Sequence, residues 1–252
     1  KGECMRLSAE QIESNWSELR KLINDTFEGE RLEKINALHD HFEDRMTLAP
    51  ASGRAWYHNA FPGGYVAHVL NIVQWAHKYY ELFKDQGMYL DDITEESVTF
   101  AAMFHDLGKV GNMEDDYYIT NTDEWRAKKL QEYYNHNPAI HYMTVTDRAI
   151  WILNQFQISM SESEYIGLRL ADGLYNEQNN SYFFEGAEWK AMKTNLPHII
   201  SMADTSAARQ EKEAFMFSGE SRVDFPKYMK GETKEEELVK NLDTDKLKDL
   251  FS

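Results

Sequence analysis

The strongest constraint on what this chain can fold into is the spacing of its apolar residues, which keeps to the helical repeat in one stretch after another. Ile12, Trp16, Leu19 and Ile23 recur every three or four residues behind "SAEQ" at Ser8 to Gln11. That tetrapeptide has the pattern of a capping box, in which serine and glutamine side chains satisfy each other's backbone amides at a helix start. Leu32, Ile35, Leu38 and Phe42 continue the pattern in a second helix. "TLAPASG" reads as a loop. The Pro-Gly-Gly of "YHNAFPGGYVAHVLNIVQWAHKYYELF" marks a turn, and Val66, Val69, Leu70, Val73 and Tyr80 form the apolar stripe of the helix behind it. Glu96 to Leu107 reads as the next helix, with Val98, Ala101, Ala102 and His105 near one face. Further helices are expected from about Glu124, from Thr146 through Phe156, from a second capping box "SESE" at Ser161 to Glu164, and from Pro197 to Lys212. Alternation of the strand type is not sustained in the sequence. Only "GNMEDDYYITNTDEW", acidic and irregular, suggests a short hairpin or a lid. The expected fold is all-α, a single domain with terminal extensions.

Composition sets the outer bounds on function. With 252 residues, 42% apolar and 13% aromatic, the chain can bury a substantial core. It carries 43 acidic against 27 basic residues, a net charge of −16, which repels polyphosphate backbones at long range. Extended nucleic acid is therefore not the expected partner, whereas a local basic pocket or bound metal can still hold a small phosphorylated ligand. Cys4 is the single cysteine, so an intramolecular disulfide and a Cys-rich zinc site are both excluded. The sequence has neither a run long enough to span a bilayer nor a signal-peptide pattern, and a cytoplasmic, membrane-free protein is expected.

The chemistry-bearing residues fall on three separate helices. His68 lies one turn into the helix that starts at Gly63-Gly64. His105 and Asp106, in "FHDLGKV", close a second helix, with Gly108-Lys109 where the chain must turn. Asp204 sits in the apolar run "IISMADTSAAR", where an ionised carboxylate needs a cation, a donor or a proton. Two imidazoles with two carboxylates suit Mn²⁺, Fe²⁺, Co²⁺, Ni²⁺ or Mg²⁺, not a structural zinc. A second His-Asp pair, His39-Asp40, has no Gly-Lys behind it and no Pro-Gly-Gly before it, and is assigned to a solvated helix face. Arg209 reads as a surface charge, Asp172 as a helix-end residue, and Gly173 as the stop after it.

"HNAFPGGYVAHVLNI", "AAMFHDLGKV" and "ISMADTSAA", in that order, resemble the H…HD…D signature of the HD-domain superfamily of metal-dependent phosphohydrolases. The likeness is greatest to the branch with a Pro-Gly-Gly turn before the first histidine, which includes 3′–5′ exoribonucleases. It covers roughly residues 52–217, leaving 1–51 as an N-terminal helical extension and 218–252 as a charged tail. Leu238, Leu242, Leu247, Leu250 and Phe251 of that tail would dock on the body or on a partner. The resemblance implies an HD-type helical fold, one or two divalent ions held by His68, His105, Asp106 and Asp204, and hydrolysis of a phosphate ester. On that basis Asp106 could bridge two ions, and Lys109 could neutralise charge building on the phosphate. His136 and His141 are candidate ligands for a second ion, and His58 and Arg54 candidate phosphate contacts. The expected substrate is a nucleotide or similar small phosphorylated molecule. The rivals are a 3′–5′ exonuclease on short RNA or DNA, which needs a basic, aromatic-lined groove, and a catalytically silent nucleotide-binding module.

Overall fold

The computed structural model of the protein describes residues 7–184, 187–218 and 221. The amphipathic stretch read between Leu238 and Phe251 lies outside the described residues. Among the described residues, eight α-helices run in the order α1 Ala9–Thr26, α2 Gly29–Leu48, α3 Gly64–Asp85, α4 Glu95–Phe104, α5 Val145–Gln155, α6 Glu162–Arg169, α7 Asn180–Phe183 and α8 Leu196–Phe217. Two short strands, β1 Tyr118–Thr120 and β2 Tyr134–His136, pair antiparallel with Tyr118 opposite His136. The fold is all-α.

The helix starts are chemical. Ser8 and Ser161 each form a full capping box, with Gln11 and Glu164, and the hydroxyls of Thr94 and Thr144 cap α4 and α5. Pro197 sits in the first turn of α8, where its missing amide proton costs nothing.

α3 lies at the centre and packs most extensively on α8 and α4. Ala76, Ala101, Ala102, Ala203 and Ala207 are fully buried on these three helices, and their small side chains let the backbones approach closely. Ile72, Phe100, Ile199 and Ile200 fill the space between. α1 and α2 add Leu19, Ile23, Ile35, Leu38 and Phe42 to the same core, so residues 9–48 are packed into the body and not held away from it.

Two local readings of the sequence are corrected here. The helix expected over Glu96 to Leu107 ends at Phe104, and a 3₁₀ turn, Leu107–Val110, follows the His105-Asp106 pair. Gly108 is the reason the chain can turn there. A Cβ on it would stand 2.1 Å from the Val145 carbonyl oxygen, so only glycine lets this turn lie against α5. The second correction concerns His39, which is 2% exposed and not on a solvated face. Its ring packs beside Trp16 and Phe104, and its Nδ1–H donates to the Ile35 carbonyl at 2.8 Å. Only Asp40 faces water, paired with Arg20 at 2.8 Å. Neighbouring residues on a helix are turned by about 100°, and His39 shares the phase of the core residues Ile35 and Phe42.

Candidate metal centre

Each element reaches the site for a reason in its own backbone. The start of α3 is fixed by Gly63, at φ +81°, and by Gly64, whose missing Cβ leaves room for the Asn59 carbonyl at 2.1 Å from where that atom would be. The Tyr65 amide donates to the Ala49 carbonyl, tying this turn to the end of α2. His68, one turn further on, is wholly buried. His105 and Asp106 leave α4 at the break, and Asp204 and Glu211 project from α8 two turns apart.

The side chains converge. His68 Nε2 lies 3.4 Å from Asp204 Oδ1 and 3.6 Å from Asp106 Oδ2. His105 Nε2 lies 3.3 Å from Asp106 Oδ2 and 4.0 Å from Asp204 Oδ1. His68, His105 and Asp204 each offer a ligand atom within 4.8 Å of the others, the spacing of a metal group. Asp204 keeps 29% of its side chain exposed while both histidines are shut in, so the centre opens to solvent on the α8 side.

The protons of the two histidines can be placed. His105 Nδ1 faces the Ala102 carbonyl at 2.7 Å, and His68 Nδ1 faces the Glu211 carboxylate at 2.9 and 3.1 Å. A carbonyl can only accept, and an ionised carboxylate can only accept, so each Nδ1 carries hydrogen. When a ring is neutral, its Nε2 then presents a lone pair toward the carboxylates. Both Nε2 atoms are buried and lack a hydrogen-bond partner. Lone pairs facing carboxylate oxygens repel unless a cation or protons stand between them.

The electrostatics state the same demand. Burial opposes a charge on His68, yet Glu211, Asp204 and Asp106 push its pKa up to about 10. His105 is likewise raised by Asp106 and Asp204 against the effect of its burial. Burial would raise Asp106, but Lys109, His105 and His68 hold it well below the usual carboxylate range, and Lys109 is raised in turn by Asp106. Without a metal, protons on the two imidazoles join the Lys109 ammonium in balancing Asp106, Asp204 and Glu211. A divalent ion would take the place of the two Nε2 protons and supply the same charge.

The remaining candidates divide. His58 joins the cluster, but on Glu211: its Nδ1–H donates to Oε2 at 3.0 Å and its ring centroid is 4.3 Å from that of His68. Burial, with His68 and Lys109 nearby, pushes it down to about 4 in spite of Glu211, so it is neutral at physiological pH. His58, His68 and Glu211 form a second group with metal-like spacing. Because His68 Nδ1 carries a proton, that group serves better as a brace for His68 than as a second ion site. Lys109 Nζ is 2.6 Å from Asp106 Oδ2. Arg54 is turned away to Glu132, which it meets at 2.7 Å and which also receives Arg126 at 2.6 Å. His136 lies on β2 with its ring against Tyr117 and Tyr118, and the exposed His141 offers its backbone carbonyl to Arg148; neither enters a metal group. Arg209 is exposed and paired with Glu213.

Glu211 was not singled out in the sequence, and Asp172 was read only as a helix-end residue. Glu211 accepts from His58, His68 and Asn71, and although burial works against its charge, His68 and His58 hold it down to about 2. Its signal was available, since Ala203, Ala207, Glu211 and Phe215 are four residues apart in the buried stripe of α8. Asp172 does not end α6, which stops at Arg169; it lies three residues on, at the start of the 3₁₀ turn Gly173–Tyr175, and it feels the centre: burial, Asp106 and Asp204 all raise its pKa.

The chain is thus an all-α protein with a buried histidine–carboxylate cluster able to hold a divalent ion. No family model, curated protein or solved structure matches it.

Proposed function

We propose that this protein is a divalent-metal-dependent phosphohydrolase of the HD type, acting on a phosphate ester of a nucleotide or similar small molecule. The observation that carries the reading is the pair of buried, unpartnered Nε2 atoms of His68 and His105 aimed at the Asp106 and Asp204 carboxylates. The two imidazoles and Asp204 would hold the ion, with Asp106 beside them, and the set suits Mn²⁺, Fe²⁺, Co²⁺, Ni²⁺ or Mg²⁺. A bound ion would supply Lewis acidity toward a phosphoryl oxygen and lower the pKa of water. The chain supplies the rest. Glu211 fixes the tautomer and direction of His68, the Ala102 carbonyl does the same for His105, and Lys109 holds Asp106 while placing positive charge where phosphate charge would grow.

Small substrates are favoured because cations near the centre are already engaged. Lys109 is on Asp106, Arg54 and Arg126 are on Glu132, and Arg45 is on Asp116. A nucleic-acid track needs such groups turned toward a backbone.

The test is a hydrolysis screen of nucleotides and short RNA with added Mn²⁺, run beside metal analysis of the wild-type protein and Asp204→Ala. Bound metal and turnover on mononucleotides are expected in the wild type, and loss of both in the variant. Metal binding without turnover on any phosphate ester would leave a binding module in its place. Faster shortening of RNA than of any mononucleotide would make it an exonuclease.

A further inference from the structure

A cavity of about 660 Å³ opens between α8, Tyr79 of α3, the 3₁₀ turn Gly173–Tyr175 and α7. Its size is that of a site for a small organic ligand. Its walls are mixed in a particular way. Phe183 stands edge-on to His198, with centroids 5.3 Å apart, while Phe184 and Tyr175 leave 65% and 87% of their surface in the open at the rim. Aromatic faces left exposed around a cavity are ready to stack on a flat ring. Ser201, Thr205 and Ser206 of α8 bring hydroxyls to the same space, and Tyr79 and Ser206 share a hydrogen bond of 2.7 Å.

The cavity adjoins the metal centre along one helix. Ser201 precedes Asp204 by one turn and Thr205 follows it directly. Asp172 forms part of the cavity wall and interacts electrostatically with Asp106 and Asp204. A carboxylate at that junction repels phosphate from the cavity and accepts readily from hydroxyls. The site therefore has three zones in sequence: aromatic walls, a carboxylate and then a cation centre.

We infer that this cavity, bounded by Tyr79, Asp172, Phe183, Phe184 and Ser201, receives the nucleoside half of the substrate, its base among the aromatic side chains and its sugar hydroxyls on Asp172. The phosphate end of that placement rests on the phosphohydrolase reading; the nucleoside end does not. A second cavity, of about 420 Å³, lies on the other side of Asp172 and Tyr175 and is lined in part by Met143 and Asn176.

Adenosine, guanosine, cytidine and uridine, titrated calorimetrically into metal-free full-length protein, test the assignment without any need for turnover. At least one should bind saturably. Met202→Trp and Thr205→Trp, both at exposed positions lining the cavity, should each weaken it by at least about tenfold. Met143→Trp, in the neighbouring cavity, should leave it unchanged. Two results overturn the inference: failure of all four nucleosides to bind, or binding lost in Met143→Trp and kept in the two α8 variants. A protein that binds a nucleoside here and hydrolyses nothing keeps the pocket and loses the enzyme. One that hydrolyses phosphate esters and binds no nucleoside does the reverse.

Discussion

One oxygen of Glu211, Oε2, lies 2.9 Å from His68 Nδ1 and 3.0 Å from His58 Nδ1, while Asn71 donates to the other oxygen at 2.8 Å. A single buried carboxylate thus holds the proton of His68 on the nitrogen that faces away from Asp204. Glu211→Gln keeps the shape but leaves one oxygen to accept from three donors. Orienting carboxylates of this kind typically govern metal affinity by about 10–100-fold. We expect Mn²⁺ affinity of Glu211→Gln to fall on that scale, with the helical content kept. Calorimetric titration with Mn²⁺ measures it, and an affinity equal to wild type would show that His68 needs no brace.

Lys109 poses a different question, because its ammonium is already paired with Asp106 at 2.6 Å. Lys109→Met keeps the apolar stem and removes the charge. If Lys109 stabilises charge on the phosphate in the transition state, turnover should fall by roughly 10²–10³-fold while bound metal is retained. If it only restrains Asp106, metal content and melting temperature should change and turnover per bound metal should not. Metal content, melting temperature and hydrolysis, taken on this one variant, separate the two.

His68, His105, Asp106 and Asp204 were singled out through the order of their motifs, and each lies on or just beyond an apolar helix whose phase is set by its neighbours. The same phase rule, applied without regard to polarity, would also have found His39 and Glu211. Each occupies a buried position, between Ile35 and Phe42 in one case and between Ala207 and Phe215 in the other. Polar identity hid them, since a histidine or glutamate is ordinarily assigned to water. Arg54, His136 and His141 lie in loops and a two-strand ribbon, where no period says which way a side chain points. Their partners, Glu132 for Arg54 and the Tyr117–Tyr118 rings for His136, depend on tertiary placement alone. The aromatic cavity was invisible for the same reason, as its walls come from α3, α7, α8 and a 3₁₀ turn.

Gly108 tests whether the turn behind His105-Asp106 is built as argued. A methyl group there would collide with the Val145 carbonyl oxygen at 2.1 Å and with Arg148 Cβ at 3.0 Å. Neither backbone can retreat easily, because α5 packs on this turn. Gly108→Ala should lose about 1–3 kcal/mol of stability, the usual cost of overpacking. It should also weaken metal binding, since the displaced turn carries Asp106. Urea unfolding and Mn²⁺ titration measure the two effects, and a variant as stable as wild type would mean the approach to α5 is not tight.

His39 gives the core a pH dependence of its own. Burial drives its pKa down to about 4, with the Arg20 charge acting in the same direction, against a hydrogen bond to the Ile35 carbonyl and the Asp40 charge. The unfolded chain takes up that proton near pH 6.5. Between those values the unfolded state binds more protons than the folded one, so stability is full above about 6.5 and is lost as the pH falls toward about 4. The loss is at most about 1.4 kcal/mol per pH unit for one group. His39→Leu keeps an apolar side chain between Trp16 and Phe104 and removes the titration. Urea unfolding at pH 7 and at pH 5 should show the variant gaining on wild type at the lower pH, whichever of the two is more stable at pH 7. Carboxylates elsewhere titrate equally in both proteins and cancel in the difference. A difference that stays constant across this window would mean that His39 is charged, or wetted, in the folded state.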